Sequence, residues 1–149
     1  MKKITLMSIL LAFGMAACEP VPTFIEYGYI TAKDGLDKEV TQLKFTAEGG
    51  TQTIYVETTL PYWMARPVSL HGLPYVHPTP DEEGYITVAN ATGWMTLTFR
   101  HRTIGIYNGE VEVTVAENLG APRTDGVYLW NDDIPISLLV SKTIDVIQD

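Results

Sequence analysis

The stretch Thr51-Gln52-Thr53-Ile54-Tyr55-Val56-Glu57-Thr58-Thr59 decides the fold class. In an extended chain successive side chains point to opposite faces, so Ile54 and Val56 fall on one side and Thr53, Tyr55 and Glu57 on the other. β-branched and aromatic residues dominate the stretch, and only one of its faces suits a core, as in a half-buried sheet. Just before it, Leu43, Phe45 and Ala47 share a face and Gly49-Gly50 supplies a turn, which predicts a hairpin between the two arms.

The same period of two recurs outward from this pair. Phe24 to Thr31, Tyr85 to Ala89, Met95 to Arg100, Glu110 to Ala116, Gly126 to Trp130 and a run through Ile136 to Ile147 all read as short strands, broken by Gly, Pro, Asn or Asp. Trp63 to Leu70 reads as extended too, but Pro61 and Pro67 suit an edge or a bulge better than a central position. The stretch from His71 to Glu83 holds Pro74, Pro78 and Pro80 and is a long loop by composition. Ala32 to Val40 admits a short helical piece or a turn built on Asp34, Gly35 and Asp37. About eight to ten short strands without a long helix predict an all-β fold, an immunoglobulin-like β-sandwich.

The beginning of the chain carries a different message. Lys2 and Lys3 precede an apolar run from Ile4 to Ala17 that stops at Cys18, the one cysteine of the sequence. A basic start, a short apolar core and small residues before the cut describe a secretory signal, too short for a membrane span. Met15-Ala16-Ala17-Cys18 resembles the end of a bacterial lipoprotein signal, which implies cleavage before Cys18 and lipidation of its thiol. Residues 1–17 are then signal peptide, 18–23 a tether carrying Pro20 and Pro22, and 24–149 the domain. A single cysteine allows no disulfide within the chain, so the fold depends on its core alone. The expected location is the cell envelope: an outer membrane, on its periplasmic face or at the cell surface.

The net charge of the whole chain is −8. Removing Lys2 and Lys3 leaves eight basic residues against eighteen acidic ones. The basic residues are scattered, with only Arg100 and Arg102 close together, so no stripe exists to displace counterions from a nucleic acid. The acidity argues for solubility.

The last third supplies a family likeness. Val113-Thr114-Val115-Ala116-Glu117-Asn118, then Arg123-Thr124-Asp125-Gly126-Val127-Tyr128-Leu129, and the closing Ile144-Asp145-Val146-Ile147-Gln148 resemble the BACON domain, an immunoglobulin-like module of Bacteroidetes proteins. Phe45 to Thr51 looks like the family's opening hairpin, and Trp63 and Trp94 stand where it carries tryptophan. The likeness spans most of residues 43–149, with a longer, proline-rich insertion from Val68 to about Thr87. It implies a stand-alone module for carbohydrate or mucin binding, or for spacing.

Catalytic motifs are missing from the sequence: no nucleophile elbow, no phosphate loop and no His-Glu-x-x-His run occurs. A non-enzymatic role without cofactor or metal is therefore expected. Of His71, His77 and His101, the first two lie on the proline-broken loop at a spacing no zinc pattern uses and suit solvated positions. Asp81-Glu82-Glu83 and Asn131-Asp132-Asp133 could offer oxygens to calcium, although turn chemistry accounts for them equally. Aromatic residues give the stronger hint, because sugar rings stack their C–H faces on flat side chains while polar neighbours bind the hydroxyls. With Val127 and Leu129 inward, alternation sends Tyr128 and Trp130 outward beside Asn131 and Asp132. With Met95, Leu97 and Phe99 inward, Trp94 shares the other face with Thr96 and Thr98. Trp63 suits the core, and Arg123 and Asn118 suit fixing a loop. The expected partners are the membrane, through Cys18, and either a glycan or a surface protein; the rival to glycan binding is a spacer or an assembly subunit that uses an exposed sheet edge.

Overall fold

The computed structural model describes residues 28–60, 62–131 and 140–149. Cys18, Asp132 and the strand residues expected at 24–27 and 136–139 lie outside them. The alternating stretches become nine strands: β1 (Ile30–Lys33), β2 (Gln42–Phe45), β3 (Gly50–Thr58), β4 (Trp63–Pro67), β5 (Ile86–Ala89), β6 (Met95–Ile104), β7 (Tyr107–Val115), β8 (Arg123–Asn131) and β9 (Ser141–Gln148). They form an all-β sandwich of a five-stranded sheet, β1-β3-β7-β6-β5, and a four-stranded sheet, β2-β9-β8-β4. Every neighbouring pair is antiparallel except β2 with β9, which run parallel.

The core lies between the sheets and is built by the inward half of each strand. Ile54, Val56, Leu97, Phe99, Val111 and Val113 from one sheet meet Leu43, Phe45, Val127, Leu129, Ile144 and Val146 from the other, all buried. Trp63 joins this core, as its sequence position suggests, with its ring tilted against Phe99 at 5.7 Å between centroids. Gly109 makes room for it: a Cβ there would lie 2.4 Å from Trp63 Cζ2 and 2.4 Å from the Arg100 carbonyl oxygen.

The hairpin expected between the arms on either side of Gly49-Gly50 does not form. β2 pairs with β9 and β3 with β1 and β7, so the turn is an arch that carries the chain from one sheet to the other. Leu43 and Phe45 thereby face Ile54 and Val56 across the core, where a hairpin would set them side by side on one sheet. Gly49 takes φ +76° at the arch, and a Cβ there would sit 2.3 Å from the Val115 carbonyl oxygen. Gln52 Nε2 then donates to the Lys44 carbonyl across the arch at 2.7 Å.

Other expectations resolve locally. The region after β1 is a turn and not a helix: the Asp34 carboxylate accepts from the Leu36 and Lys38 N–H groups at 2.8 and 2.9 Å. β4 is an edge strand of its sheet, in keeping with the prolines at its ends, and runs into a single 3-10 turn, Val68–Leu70. One end of the sandwich is tied by polar groups. Gln148, fully buried, donates through Nε2 to the carbonyls of Thr46, Ala47 and Ala116 and accepts from Arg123 Nε. Asn118 holds the adjacent loop by bonds to Ala121, Asp149 and Gly120, the loop-fixing role its position suggests.

Candidate functional site at the β4 and β5 edge

β4 and β5 are each the last strand of their sheet, and they flank the same side of the sandwich. Between them runs the proline-rich loop that follows the 3-10 turn. Leu70, Leu73, Pro74, Tyr75, Val76 and Pro78 line one wall of a groove of about 400 Å³, and Thr87, Val88 and Ala89 of β5 line the other. Leu73 is 56% exposed and Val76 81%, values that put two large apolar side chains in water beside the groove.

The register of β5 determines what its backbone offers. Asn90 N–H bonds to the Met95 carbonyl, which fixes the phase of the β5–β6 ladder. Hydrogen-bonded and non-bonded pairs alternate in antiparallel strands, so Ile86 and Val88 exchange bonds with β6. Thr87 and Ala89 turn their N–H and C=O groups the other way, toward the groove. No strand lies beside that edge among the described residues.

Arg66 of β4 also lines the groove. Its cross-strand partner is Tyr128, and Met64, two residues earlier, pairs with Trp130. These four side chains occupy the outer face of the four-stranded sheet, as alternation predicts for Tyr128 and Trp130. Tyr128 and Trp130 stack on each other at 5.5 Å and 19°. The Arg66 guanidinium lies 5.2 Å from the Trp130 ring and 5.8 Å from each of Tyr128 and Tyr75, within cation–π range. The loop roofs the stack, with His71 edge-on to Tyr128 at 4.9 Å and Tyr75 edge-on to Trp130 at 5.2 Å. Arg66 Nη2 donates to His71 Nδ1 at 3.0 Å, so this nitrogen of the imidazole is the unprotonated one.

The sugar-stacking residues expected from sequence thus differ in their surroundings from an open platform. Trp130 leaves the sheet on the outer face but is only 8% exposed beneath the loop. Asn131 is 2% exposed, paired with Trp63 on the inner side of the strand. Trp94 is half-buried, and the Arg123 guanidinium covers its ring at 4.6 Å. The structure therefore brings Tyr128 and Trp130 together and leaves Trp94 at a separate place. Sequence reasoning missed Arg66, Tyr75, Leu73 and Val76; the available signal was the apolar content of Leu73-Pro74-Tyr75-Val76 inside a loop otherwise read from its prolines.

A second, shallower depression of about 260 Å³ lies among Leu60, Tyr62, Trp63, His101, Arg102, Thr103 and Asn108. Tyr62 is 66% exposed there and holds φ +60°, a conformation that costs a bulky residue energy. Among the described residues no group of three His, Cys, Asp or Glu side chains is placed to hold a metal ion.

No family model, no curated protein and no solved structure matches this chain. The functional reading therefore rests on the geometry of the edge itself.

Proposed function

We propose that this chain is a non-catalytic binding module, lipid-anchored at the cell envelope through Cys18, that holds another polypeptide by strand addition at β5. One observation carries the reading: the outward peptide groups of Thr87 and Ala89 open onto a groove with an apolar wall. An added strand gains main-chain hydrogen bonds from such an edge and side-chain selectivity from the pockets beside it. Edge strands left open in this way invite pairing unless charge or proline blunts them, and β5, Ile-Thr-Val-Ala, carries neither. The BACON resemblance fits a role in binding or spacing, and its quoted Asn118, Arg123 and Gln148 converge on one end of the fold. An Ig-like module held near a membrane by a short tether would present β5 to neighbouring envelope proteins.

Carbohydrate binding is the second reading, and the exposed, strained Tyr62 beside Arg102 favours it more than the covered Trp130 does. The variant Thr87→Pro separates the two. Proline removes the outward N–H and adds bulk at the edge, while the bonds of Ile86 and Val88 to β6 remain. Strand addition predicts that a capped heptapeptide of alternating Val and Thr binds the wild type and loses at least about tenfold in affinity on Thr87→Pro. Equal peptide binding by both proteins, or binding of a mucin oligosaccharide that Tyr62→Ala abolishes, would contradict it.

A further inference from the structure

The charge balance at the groove is incomplete. Arg66 has no carboxylate within ion-pair distance among the described residues, and its Nε is buried without a hydrogen-bond partner. Three other cations meet carboxylates: Lys33 faces Asp37 and Glu57, Arg100 faces Glu110, and Lys142 faces Glu39. Among the described residues, Arg66 is met by ring faces and one imidazole nitrogen. A guanidinium binds a carboxylate best through two parallel N–H donors, a geometry no ring supplies.

Resting on the strand-addition reading, we infer that the partner is an extended, apolar segment carrying one acidic side chain, which enters the groove and pairs with Arg66. Charge complementarity selects this occupant. A basic segment would set its cation against Arg66, and a purely apolar one would bury that cation further without a counter-charge. A run of acidic residues is disfavoured as well, because Asp81, Glu82 and Glu83 lead into the same edge strand and would repel it. The favoured sequence therefore alternates small or branched apolar residues with a single Glu or Asp among them. Side chains two apart on an added strand share a face, so the acid and its apolar neighbours at i±2 point into the groove together.

Titration calorimetry of the full-length protein with three capped heptapeptides, TVTXTVT with X as Glu, Gln or Lys, which sets both Val on the face of X, tests this. The expected result is that the Glu peptide binds roughly tenfold tighter than the Gln peptide and tighter still than the Lys peptide, as a charge-assisted bond predicts. On Arg66→Met, which keeps an apolar stem under the aromatic roof, the Glu and Gln peptides should bind alike. Arg66→Lys should retain part of the preference, and this keeps the test valid if the Met variant folds poorly. Equal affinity of Glu and Gln peptides for the wild type would overturn the acidic partner while leaving strand addition in place. Failure of all three peptides to bind the wild type would overturn strand addition itself, and the inference with it.

Discussion

The guanidinium carbon of Arg66 on β4 lies 5.2 Å from the centroid of the Trp130 ring on β8, a contact across neighbouring strands of the four-stranded sheet. Arg66 also reaches His71 and the Tyr75 ring, both on the loop. Its removal uncovers Tyr128 and Trp130 and loosens the groove wall. Arg66→Ala is predicted to cost about 1–2 kcal/mol in urea unfolding and to shift tryptophan emission to the red, because cation–π contact and stem packing go together. An unchanged emission maximum in a stable variant would show that the loop covers Trp130 without Arg66.

Gly109 is predicted to be irreplaceable, since Trp63 Cζ2 and the Arg100 carbonyl both occupy the space of its missing side chain. The Arg100 oxygen is backbone and cannot turn aside. Gly109→Ala should lose about 3 kcal/mol of stability, at the upper end of ordinary overpacking costs. Gly35→Ala meets nothing within 4 Å, and should stay within about 0.5 kcal/mol of the wild type. Denaturation midpoints of the two variants, measured together, give the comparison.

Gln148 ties the carbonyls of Thr46, Ala47 and Ala116 to the side chain of Arg123. Leucine of similar size fills the space but removes one donor from each of the three carbonyls, which keep only Gly49 N–H, Asn118 N–H and Arg123 Nη2, and leaves the Arg123 Nε without its acceptor. Gln148→Leu should therefore destabilise by roughly 2–4 kcal/mol, more than a volume-conserving core exchange costs. Thermal unfolding followed by circular dichroism measures it; a loss below that of an ordinary apolar swap would mean that water replaces the amide.

Acid should weaken the turn after β1. The N–H groups of Lys38 and Leu36 hold the Asp34 carboxyl below the usual carboxylate range. Lys142 does the same to Glu39, first through its hydrogen bond and then through its charge. A carboxyl depressed in the folded state stabilises it at pH above the unfolded pKa and loses that contribution as pH falls through the folded pKa. The stability difference between wild type and Asp34→Ala is thus predicted to be constant at neutral pH and to narrow below about pH 4. A difference unchanged down to pH 2 would contradict the assignment. Asp34→Asn keeps an acceptor oxygen and should show the smaller, pH-independent loss.

How much of this was legible beforehand depends on the range of the interaction. Period-two alternation placed Ile54, Val56, Leu97, Phe99, Val127 and Leu129 in the core correctly, because facing is a property of each strand alone. Alternation also sent Tyr128 and Trp130 to the outer face. What it could not supply was the loop above them, since the path of residues 71–80 is decided by Arg66, His71 and Tyr75 meeting across the sheet. Pairing was hidden for a similar reason. Gly49-Gly50 signals a reversal of the chain, but whether the reversal stays in one sheet or crosses to the other depends on β9, some hundred residues later. The groove beside β5 follows from both, and so no local pattern announced it.

The most direct test of the central claim is amide hydrogen exchange of the full-length protein, resolved by residue, with and without the Glu-centred heptapeptide. Strand addition at β5 predicts new protection of the Thr87 and Ala89 amides, whose N–H groups point away from β6, with Ile86 and Val88 unchanged because they are already bonded. Binding that leaves Thr87 and Ala89 unprotected, or that protects the surroundings of Tyr62 instead, would contradict it.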